Sequence, residues 1–374
     1  MNELDTYLAD TFRLDAWPPV SRSRREDGFP LADEPFVDCW SAWAAEAETA
    51  GAFEVLRRYL PQFSFPIAAG MSRTEAYRRA TLQGVAPEDL AEATGLDLER
   101  PDSVRLIVHP SLAGRIPILE ITHRPTFVQL CRALAKRNEP APIAAAVGAQ
   151  MVAGYNNWSR IAEHRRAFLE QPPEERRHAT WAEAFADLRT RKSLYQDQFI
   201  LLSAGPYSDV PARDLGLEHD EWSALSLTIR REHECTHYFT RRVFGAIRNH
   251  LLDELLCDYA GIVAARGCFR ADWLHRFLGL DEFPRVRPDG RVHSYRGEPP
   301  LSEASFERLV ALVHAAAVQL ERFDRSLPAG PRRPRRRALH LAALATQRLD
   351  HLAADDGAET LARAVDALEA KLRA

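Results

Sequence analysis

The sequence predicts an α+β protein that is mainly α-helical with a small antiparallel sheet. Three observations lead to this fold class. Residues 219–270 carry apolar side chains at helical spacing and contain few helix breakers. Residues 104–122 alternate around a central turn at Pro110 and Gly114, which is typical of a β-hairpin. Amphipathic patterns return after residue 303, so predicted helices outnumber predicted strands.

In chain order, the sequence predicts four segments. Residues 1–35 contain SRSRRED and several prolines, so we expect a loosely packed N-terminal arm. Residues 36–190 are predicted to form an N-terminal α+β domain of unknown role. Residues 191–327 hold the strongest helical pattern, followed by a turn-rich stretch at 280–302 that predicts an ordered surface loop or small hairpin. Residues 328–374 are predicted to be a linker followed by C-terminal helices.

Outside the 219–270 region, the predicted elements of these segments are helices over about 36–60, 125–137, 158–170, 303–325, 338–352 and 357–372, and a buried strand in QFILLSAGPYSDV (198–210).

Composition and charge exclude several classes of protein. Of the 374 residues 46% are hydrophobic, which is enough for a large core, and the formal net charge is −4. Such a charge gives no overall attraction to nucleic acid or to an anionic membrane, and the arginine run RRPRRR (332–337) is expected to be a solvated linker. The acidic N-terminus does not resemble a signal peptide, and no apolar run is long enough to span a bilayer.

The five cysteines are scattered and include no CxxC pair, so neither a disulfide framework nor a cysteine zinc site is indicated. We therefore expect a cytoplasmic protein without nucleic-acid or membrane partners. The sequence leaves the oligomeric state open.

The stretch REHECTHYFT (231–240) carries the first chemical signal. It lies in a region from Glu221 to Thr240 without proline or glycine, and it places His233 and His237 four positions apart. On a helix both imidazoles then point the same way, which allows two nitrogens to share one tetrahedral metal ion. Glu234 flanks that face, where its carboxylate could reach a metal-bound water. This is the HExxH pattern.

A second helix downstream supplies carboxylates. Gly245 is placed to end the first helix and Asn249 to cap the second, which contains LLDELLCDYAGIV. Glu254 and Asp258 lie four apart on one face of that helix, and two helices joined by a short connection pack together. Glu254 would complete a site of two histidines and one carboxylate with a position left for water, and Asp258 would orient a ligand histidine.

The two motifs together resemble the gluzincin metallopeptidases, in which HExxH on one helix is followed by a glutamate ligand on the next. HECTH (233–237) matches the first element, and DELLCD (253–258) is similar to the thermolysin-type NExxSD element. The resemblance covers about residues 220–262. It implies a zincin-like domain over residues 191–327 that cleaves an amide bond in a peptide or peptide-like substrate.

Within that resemblance each motif residue has an implied role. One Zn²⁺ per chain would be bound by His233, His237 and Glu254. Glu234 would be the general base, and Asp258 would support a ligand histidine. QFILLS (198–203) is expected to offer the substrate a strand edge. No residue is marked as the oxyanion stabiliser, and the candidates by nearness in the chain are Arg248, His250, Tyr238, Tyr259 and Tyr207.

Other interpretations stay open. The histidines and carboxylates could form a buried hydrogen-bonded network without a metal. The chain could be a cytoplasmic regulatory or scaffold protein with a structural or vestigial metal site, or a non-haem iron protein that uses two histidines and one carboxylate. A diiron bundle is less favoured, because the only other ExxH, Glu175 to His178, lies in a polar segment. Cys235 and Cys257 are expected to be small core residues rather than ligands.

Overall fold

The computed structural model describes residues 2–14, 28–248, 250–328, 330 and 332–373. Over these residues the α-helices are α1 Glu3–Leu8, α2 Val37–Ala50, α3 Ala52–Leu56, α4 Glu75–Gln83, α5 Arg124–Leu130, α6 Trp158–Glu170, α7 Trp181–Thr190, α8 His219–Phe244, α9 Leu251–Arg266, α10 Ala271–Leu278, α11 Glu303–Ser326, α12 Pro334–Ala345, α13 Leu349–Ala353 and α14 Gly357–Arg373. The strands are β1 Val104–Ser111, β2 Gly114–Ile121, β3 Ala149–Asn156 and β4 Gln196–Ser203. The fold is therefore α+β and mainly helical, as predicted.

The chain divides into two compact units. The helical unit consists of Met1–Ala32, Ser111–Gly114 and Gly205–Ala374, and the sheet unit of Asp33–Pro110 and Arg115–Ala204. These boundaries differ from those of the four predicted segments. Strand β4, which the sequence placed in the segment 191–327, belongs to the sheet unit.

The four strands form one sheet in the order β1-β2-β4-β3. β1 and β2 are neighbours joined by residues 112 and 113, so the hairpin predicted at 104–122 is confirmed. β4 pairs parallel with β2 and antiparallel with β3, with Ile200 opposite both Ile118 and Met151. The small sheet is thus present as predicted, but it is mixed rather than antiparallel, since β2 and β4 run parallel. Parallel pairing joins strands that are distant in sequence, which the pattern of one strand does not reveal.

Strand β4 lies inside the sheet. Its sequence includes QFILLS (198–203), and hydrogen-bonded neighbours lie on both of its sides. The expectation that this strand offers a free edge to a substrate was therefore wrong, because both of its hydrogen-bonding edges are already paired with neighbouring strands.

A buried polar cluster lies at the start of β4 and is named here the Asp197 cluster. Its carboxylate accepts hydrogen bonds from Trp40 Nε1 at 2.8 Å, Asn157 Nδ2 at 2.6 Å and Arg160 at 2.6 Å. Trp40 also packs on Phe199, with ring centroids 4.8 Å apart. The cluster ties α2, α6 and β4 together within the core of the sheet unit.

In the helical unit, α8 and α9 form a packed antiparallel pair that corresponds to the predicted helical region. α8 ends at Gly245, whose φ of 78° is a left-handed conformation that favours glycine. The N-cap of α9 is His250, whose Nδ1 accepts from the Leu252 N–H at 3.2 Å. Asn249, the predicted cap, lies outside the described residues.

Gly261 sets how closely α9 approaches α8. A Cβ atom at this position would lie 2.7 Å from the backbone oxygen of Ile229 on α8. A contact this short would force the two helices apart, so the close approach of their backbones depends on glycine.

The C-terminal helices correct one prediction. Pro334 opens α12, where proline is well tolerated, so the linker expected from residue 328 to the helix at about 338 ends before Pro334. The arginines of RRPRRR are not solvated as a group, because ion pairs neutralise three of them. These pairs are Arg332 with Asp324 at 2.8 Å, Arg337 with Glu232 at 2.9 Å and Arg336 with Glu369 at 3.0 Å.

The N-terminal arm is partly ordered against the helical unit. α1 buries Leu4, Tyr7 and Leu8, and the Tyr7 hydroxyl donates to the backbone oxygen of Tyr295 at 2.9 Å. The same hydroxyl accepts from the Leu251 N–H at 3.0 Å, at the start of α9. The SRSRRED part of the arm (21–27) lies outside the described residues. Among the helices that are described, none combines the length and the apolar character needed to cross a bilayer.

Candidate metal centre

His233 and His237 lie on the buried face of α8, toward α9. Their exposed fractions are 6% and 8%, and their ring centroids are 4.9 Å apart. The helical spacing of Trp222 and Ile229, which are buried on the same helix, places both histidines at the interior. The pair therefore meets α9 from one side, as an i,i+4 arrangement requires.

Glu254 of α9 lies between the two imidazoles. Its Oε2 is 3.5 Å from His233 Nε2, and its Oε1 is 3.6 Å from His237 Nε2. Both distances are longer than a normal hydrogen bond, which spans roughly 2.7–3.2 Å. They are close to the spacing of two atoms that share a tetrahedral zinc ion, which is roughly 3.3 Å when each bond is about 2.0–2.1 Å. The donor set thus fits a metal better than it fits direct hydrogen bonds.

Asp258 holds the opposite nitrogen of His233. His233 Nδ1 lies 2.9 Å from Asp258 Oδ1 and 2.8 Å from the Tyr207 hydroxyl, which donates to the same carboxylate oxygen at 2.5 Å. Arg291 donates to both Tyr207, at 3.0 Å, and Asp258. Burial raises the pKa of Asp258, but Arg291 and His233 outweigh burial and hold this pKa below its ordinary value. A charged Asp258 therefore fixes the ring of His233 with Nε2 facing Glu254.

Asp253 and Cys257 face the corresponding nitrogen of His237. Asp253 Oδ2 and Cys257 Sγ each lie 3.4 Å from His237 Nδ1. Burial lowers the pKa of His237, but the hydrogen bond to Asp253 and the charges of Glu254 and Glu234 outweigh it and raise the pKa to about 9. The other oxygen of Asp253 has no hydrogen-bond partner among the described residues. One buried carboxylate oxygen beside His237 is thus left without a hydrogen bond from these residues.

Cys257 extends the set of possible ligands. His233, His237 and Cys257 are buried and close enough to hold a metal ion together. The sequence placed Cys257 in the core, and it is fully buried, yet its sulfur lies beside an imidazole. Its position three residues after Glu254 on the same helix was a signal that could have found it. Cys235 is also buried, and burial raises the pKa of its thiol.

Glu234, the predicted general base, is half-buried on α8. Its charge contributes to the raised pKa of His237, which places its carboxylate near the cluster. No hydrogen bond of this carboxylate is found within the described part of the chain. It is therefore not committed to a structural role there.

The candidates for oxyanion stabiliser that lie near the start of α9 are bound elsewhere. Arg248 pairs with Asp10, and its guanidinium lies 4.8 Å from the ring centroid of Phe12. The two ring nitrogens of His250 contact the Tyr7 backbone oxygen at 3.0 Å and the Leu252 N–H at 3.2 Å. Arg248 therefore anchors the N-terminal arm, and His250 both contacts that arm and caps α9.

The tyrosine candidates also differ in position. Tyr238 is fully buried beneath Arg242, whose guanidinium lies 5.7 Å from its ring centroid. Tyr259 donates to Asp324 at 2.8 Å. Tyr207 lies behind His233, on the Nδ1 side.

The structure adds a tyrosine that the sequence did not mark. Tyr295 lies in the stretch 280–302, which forms a short 3₁₀ helix at Arg291–Tyr295. Burial raises the pKa of the Tyr295 phenol, and its hydrogen bond to the Glu254 carboxylate raises it further. The phenol therefore stays protonated beside a proposed ligand. Arg291 and Tyr295 were missed because no local pattern connects this loop with α9.

These contacts define the class of protein to which the chain belongs. It is a mainly helical α+β protein in which two histidines and a glutamate converge between two packed helices. The second ring nitrogen of each histidine lies beside an aspartate carboxylate. The chain belongs to DUF7005, a family of unknown function, whose model matches residues 1–356. Searches of the curated proteins and of the solved structures found no match. The family carries no assigned activity, so the likeness to gluzincins stays a prediction from the motif pair.

Proposed function

We propose that the protein is a zinc-dependent hydrolase that cleaves an amide bond in a peptide or peptide-like substrate. The observation that carries the proposal is the placement of the Glu254 carboxylate 3.5 and 3.6 Å from the Nε2 atoms of His233 and His237. A carboxylate held between two imidazoles, too far for hydrogen bonds, is the arrangement expected around a shared cation. The proposed ligands are therefore His233, His237 and Glu254, with one ion per chain.

The residues of the chain divide the chemistry among them. A bound zinc ion would lower the pKa of a coordinated water and polarise the scissile carbonyl. Glu234 accepts the proton of the attacking water and delivers it to the leaving nitrogen. The Tyr295 phenol donates its hydrogen bond to the Glu254 carboxylate and would thereby help to orient this ligand. Asp258 and Asp253 keep the two imidazoles oriented.

Metal content is the first test of this proposal. Mass spectrometry of protein purified without added metal should find one zinc per chain, and both His233→Ala and Glu254→Gln should lose it. His351→Ala, at an exposed histidine of α13, is the matched control and should keep its metal. Iron in place of zinc would favour the non-haem iron interpretation. No metal after zinc is offered would refute the proposed ligand set.

Activity is the second test. Glu234→Gln should bind zinc like the native protein but lose turnover of any peptide that a library screen identifies. Glu232→Gln, two residues away on the same helix, is the control and should keep turnover, because Glu232 pairs with Arg337. Full activity of the Glu234 variant would rule out its role as general base.

A second function is favoured by the position of Cys257. If a metal were instead held by His233, His237 and Cys257, the thiolate would bind on the Nδ1 side of His237, away from Glu254, in a closed structural site. The protein would then be a regulatory or scaffold protein rather than an enzyme. Cobalt substitution separates the two functions. A thiolate-to-cobalt charge-transfer band that Cys257→Ser abolishes would support the closed site, and a spectrum unchanged by that variant would support the open, catalytic one.

We retain the cytoplasm as the expected compartment. All five cysteines are free thiols, including the exposed Cys268, which suits a reducing environment.

A further inference from the structure

A cleft in the sheet unit has a composition unlike that of the metal centre. It has a volume of about 830 Å³, within the range of small-molecule sites. One wall is the edge strand β3, from Gln150 to Asn156, and the opposite wall includes α4 with Tyr77 and Arg78. All of its lining residues belong to the sheet unit.

Three arginines line this cleft: Arg73, Arg78 and Arg137. All three are exposed, and no hydrogen bond or ion pair of their guanidinium groups is found among the residues that the structure describes. Glu139, on whose carboxylate the charge of Arg73 acts, accepts from the backbone N–H groups of Gly70 and Ser72 at 2.8 and 2.9 Å, so it offsets the charge only in part. Three guanidinium groups without a committed partner leave a net positive cleft.

A second cleft of the same unit also contains arginines but differs in how they are paired. That cleft, of about 750 Å³, is lined by Arg57 and Arg58. Arg57 pairs with Glu54 at 3.3 Å and Arg58 with Glu46 at 2.7 Å. The two arginines of that cleft are thus paired with acids, whereas those of the β3 cleft are not.

Tyr77 gives an independent sign of a missing ligand. It is 3% exposed, lines the cleft, and its ring packs edge-on against Phe65 at 5.2 Å. Its buried hydroxyl has no hydrogen-bond partner within the described residues. Leaving a buried hydroxyl unsatisfied is costly, and an acceptor bound in the cleft would satisfy it.

We propose that the β3 cleft binds a small polyanion, a molecule with two or more phosphate or carboxylate groups, through Arg73, Arg78 and Arg137 with the Tyr77 hydroxyl as an additional donor. Guanidinium groups match the geometry of both oxyanions and form charge-assisted hydrogen bonds with them. The site is separate from the metal centre and needs no metal.

Calorimetric titration with inorganic pyrophosphate and with citrate tests the proposal and separates phosphate from carboxylate recognition. At about 150 mM salt, which screens loose surface attraction, we expect one of the two probes to bind in the micromolar range. Each of Arg73→Gln, Arg78→Gln and Arg137→Gln should weaken binding about tenfold. The matched controls Arg57→Gln and Arg58→Gln should leave binding unchanged.

Two more variants make the outcome unambiguous. Tyr77→Phe should raise the melting temperature of the free protein, because it removes the unsatisfied hydroxyl, and it should weaken probe binding several-fold. His233→Ala should bind the probe like the native protein, which excludes capture of the probe at the metal centre. Absence of binding by both probes at about 1 mM, or equal binding by native and arginine variants, would overturn the proposal.

Discussion

Two buried polar clusters in this protein differ in how they stabilise a carboxylate that is shielded from water. In the Asp197 cluster of the sheet unit, the carboxylate receives three hydrogen bonds of 2.6–2.8 Å, one of them from the cation Arg160. Burial raises the pKa of Asp197, and the hydrogen bonds from Asn157 and Trp40, with the charge of Arg160, offset part of this rise. The cluster is complete without any external group.

The cluster between α8 and α9 is not complete in this sense. Glu254 lies 3.5 and 3.6 Å from the imidazoles, and one buried oxygen of Asp253 has no hydrogen-bond partner among the described residues. The comparison teaches that buried carboxylates alone do not indicate a metal. The indication is a carboxylate placed between two imidazoles, beyond hydrogen-bond distance of both, beside a second carboxylate with an oxygen that has no partner among the described residues.

The largest effect is expected where the cluster is self-contained. Asp197→Ala leaves Arg160 buried without its partner and should lower the free energy of unfolding by about 3–5 kcal/mol. Urea denaturation measures this loss, which should be the same with and without a chelator. Asp102→Ala, at an exposed ion pair with Arg100, is the control and should cost less than about 1 kcal/mol. A loss for Asp197→Ala that depends on the chelator would break the comparison.

Metal removal should affect only the other cluster. Chelation should lower the free energy of unfolding of the native protein by about 3 kcal/mol if zinc stands near 100 times its dissociation constant. His233→Ala should show no further loss with the chelator, since it has no metal to give up. Thermal or urea unfolding of both proteins, each with and without chelator, provides the measurement. An equal loss in the variant would place the stabilising metal elsewhere in the chain.

A third kind of buried polar group sharpens the comparison, because the residues that the structure describes give it no hydrogen-bond partner. Both ring nitrogens of His340 on α12 lack hydrogen-bond partners among the described residues. Burial, with the charges of Arg332 and Arg336, lowers its pKa to about 4. The imidazole of His340 thus stays neutral in the folded protein at a pH where the same group in the unfolded chain, with a pKa of about 6.5, is protonated.

The contribution of the neutral His340 ring to the free energy of unfolding is therefore fully present above about pH 6.5 and is lost as the pH falls toward 4. We expect His340 to account for a loss of about 2 kcal/mol between pH 7 and 5. His340→Leu should remove that part of the pH dependence, whereas His351→Leu at an exposed site should not. Identical pH profiles of native protein and His340→Leu would show that the ring is not held neutral.

The smallest effect is expected from a residue that contacts a proposed metal ligand without binding the metal itself. Tyr207→Phe removes the hydroxyl that contacts His233 Nδ1 and Asp258, and should weaken zinc binding about tenfold, or about 1.4 kcal/mol. Competition with a chromophoric chelator measures the affinity. Tyr195→Phe, in the sheet unit, is the matched control. Unchanged affinity would mean that Asp258 alone orients the histidine.

The sequence predicted well those features that depend on local spacing. The i,i+4 pairs His233 with His237 and Glu254 with Asp258 follow from helical periodicity, and the structure brings them together between α8 and α9. The β1–β2 hairpin was equally readable, because its turn lies between its strands.

Features that depend on contacts between distant segments could not be predicted from the sequence. Arg291 reaches Asp258 from a loop without a regular pattern, and Tyr207 reaches His233 from a turn before α8. β4 was recognised as a strand, but its parallel partner β2 lies far back in the chain. Spacing within one element contains no information on which distant segment will pack against it.

The contacts of Tyr7 have a consequence for how the protein matures. Tyr7 leaves the ribosome well before the backbone oxygen that it binds, on Tyr295, is synthesised. Helices α8 and α9 emerge in between, before Arg291 can neutralise Asp258. We therefore expect the nascent chain to carry an unfinished, negatively charged helix pair, and tight metal loading to wait until the loop at 291–295 has been translated.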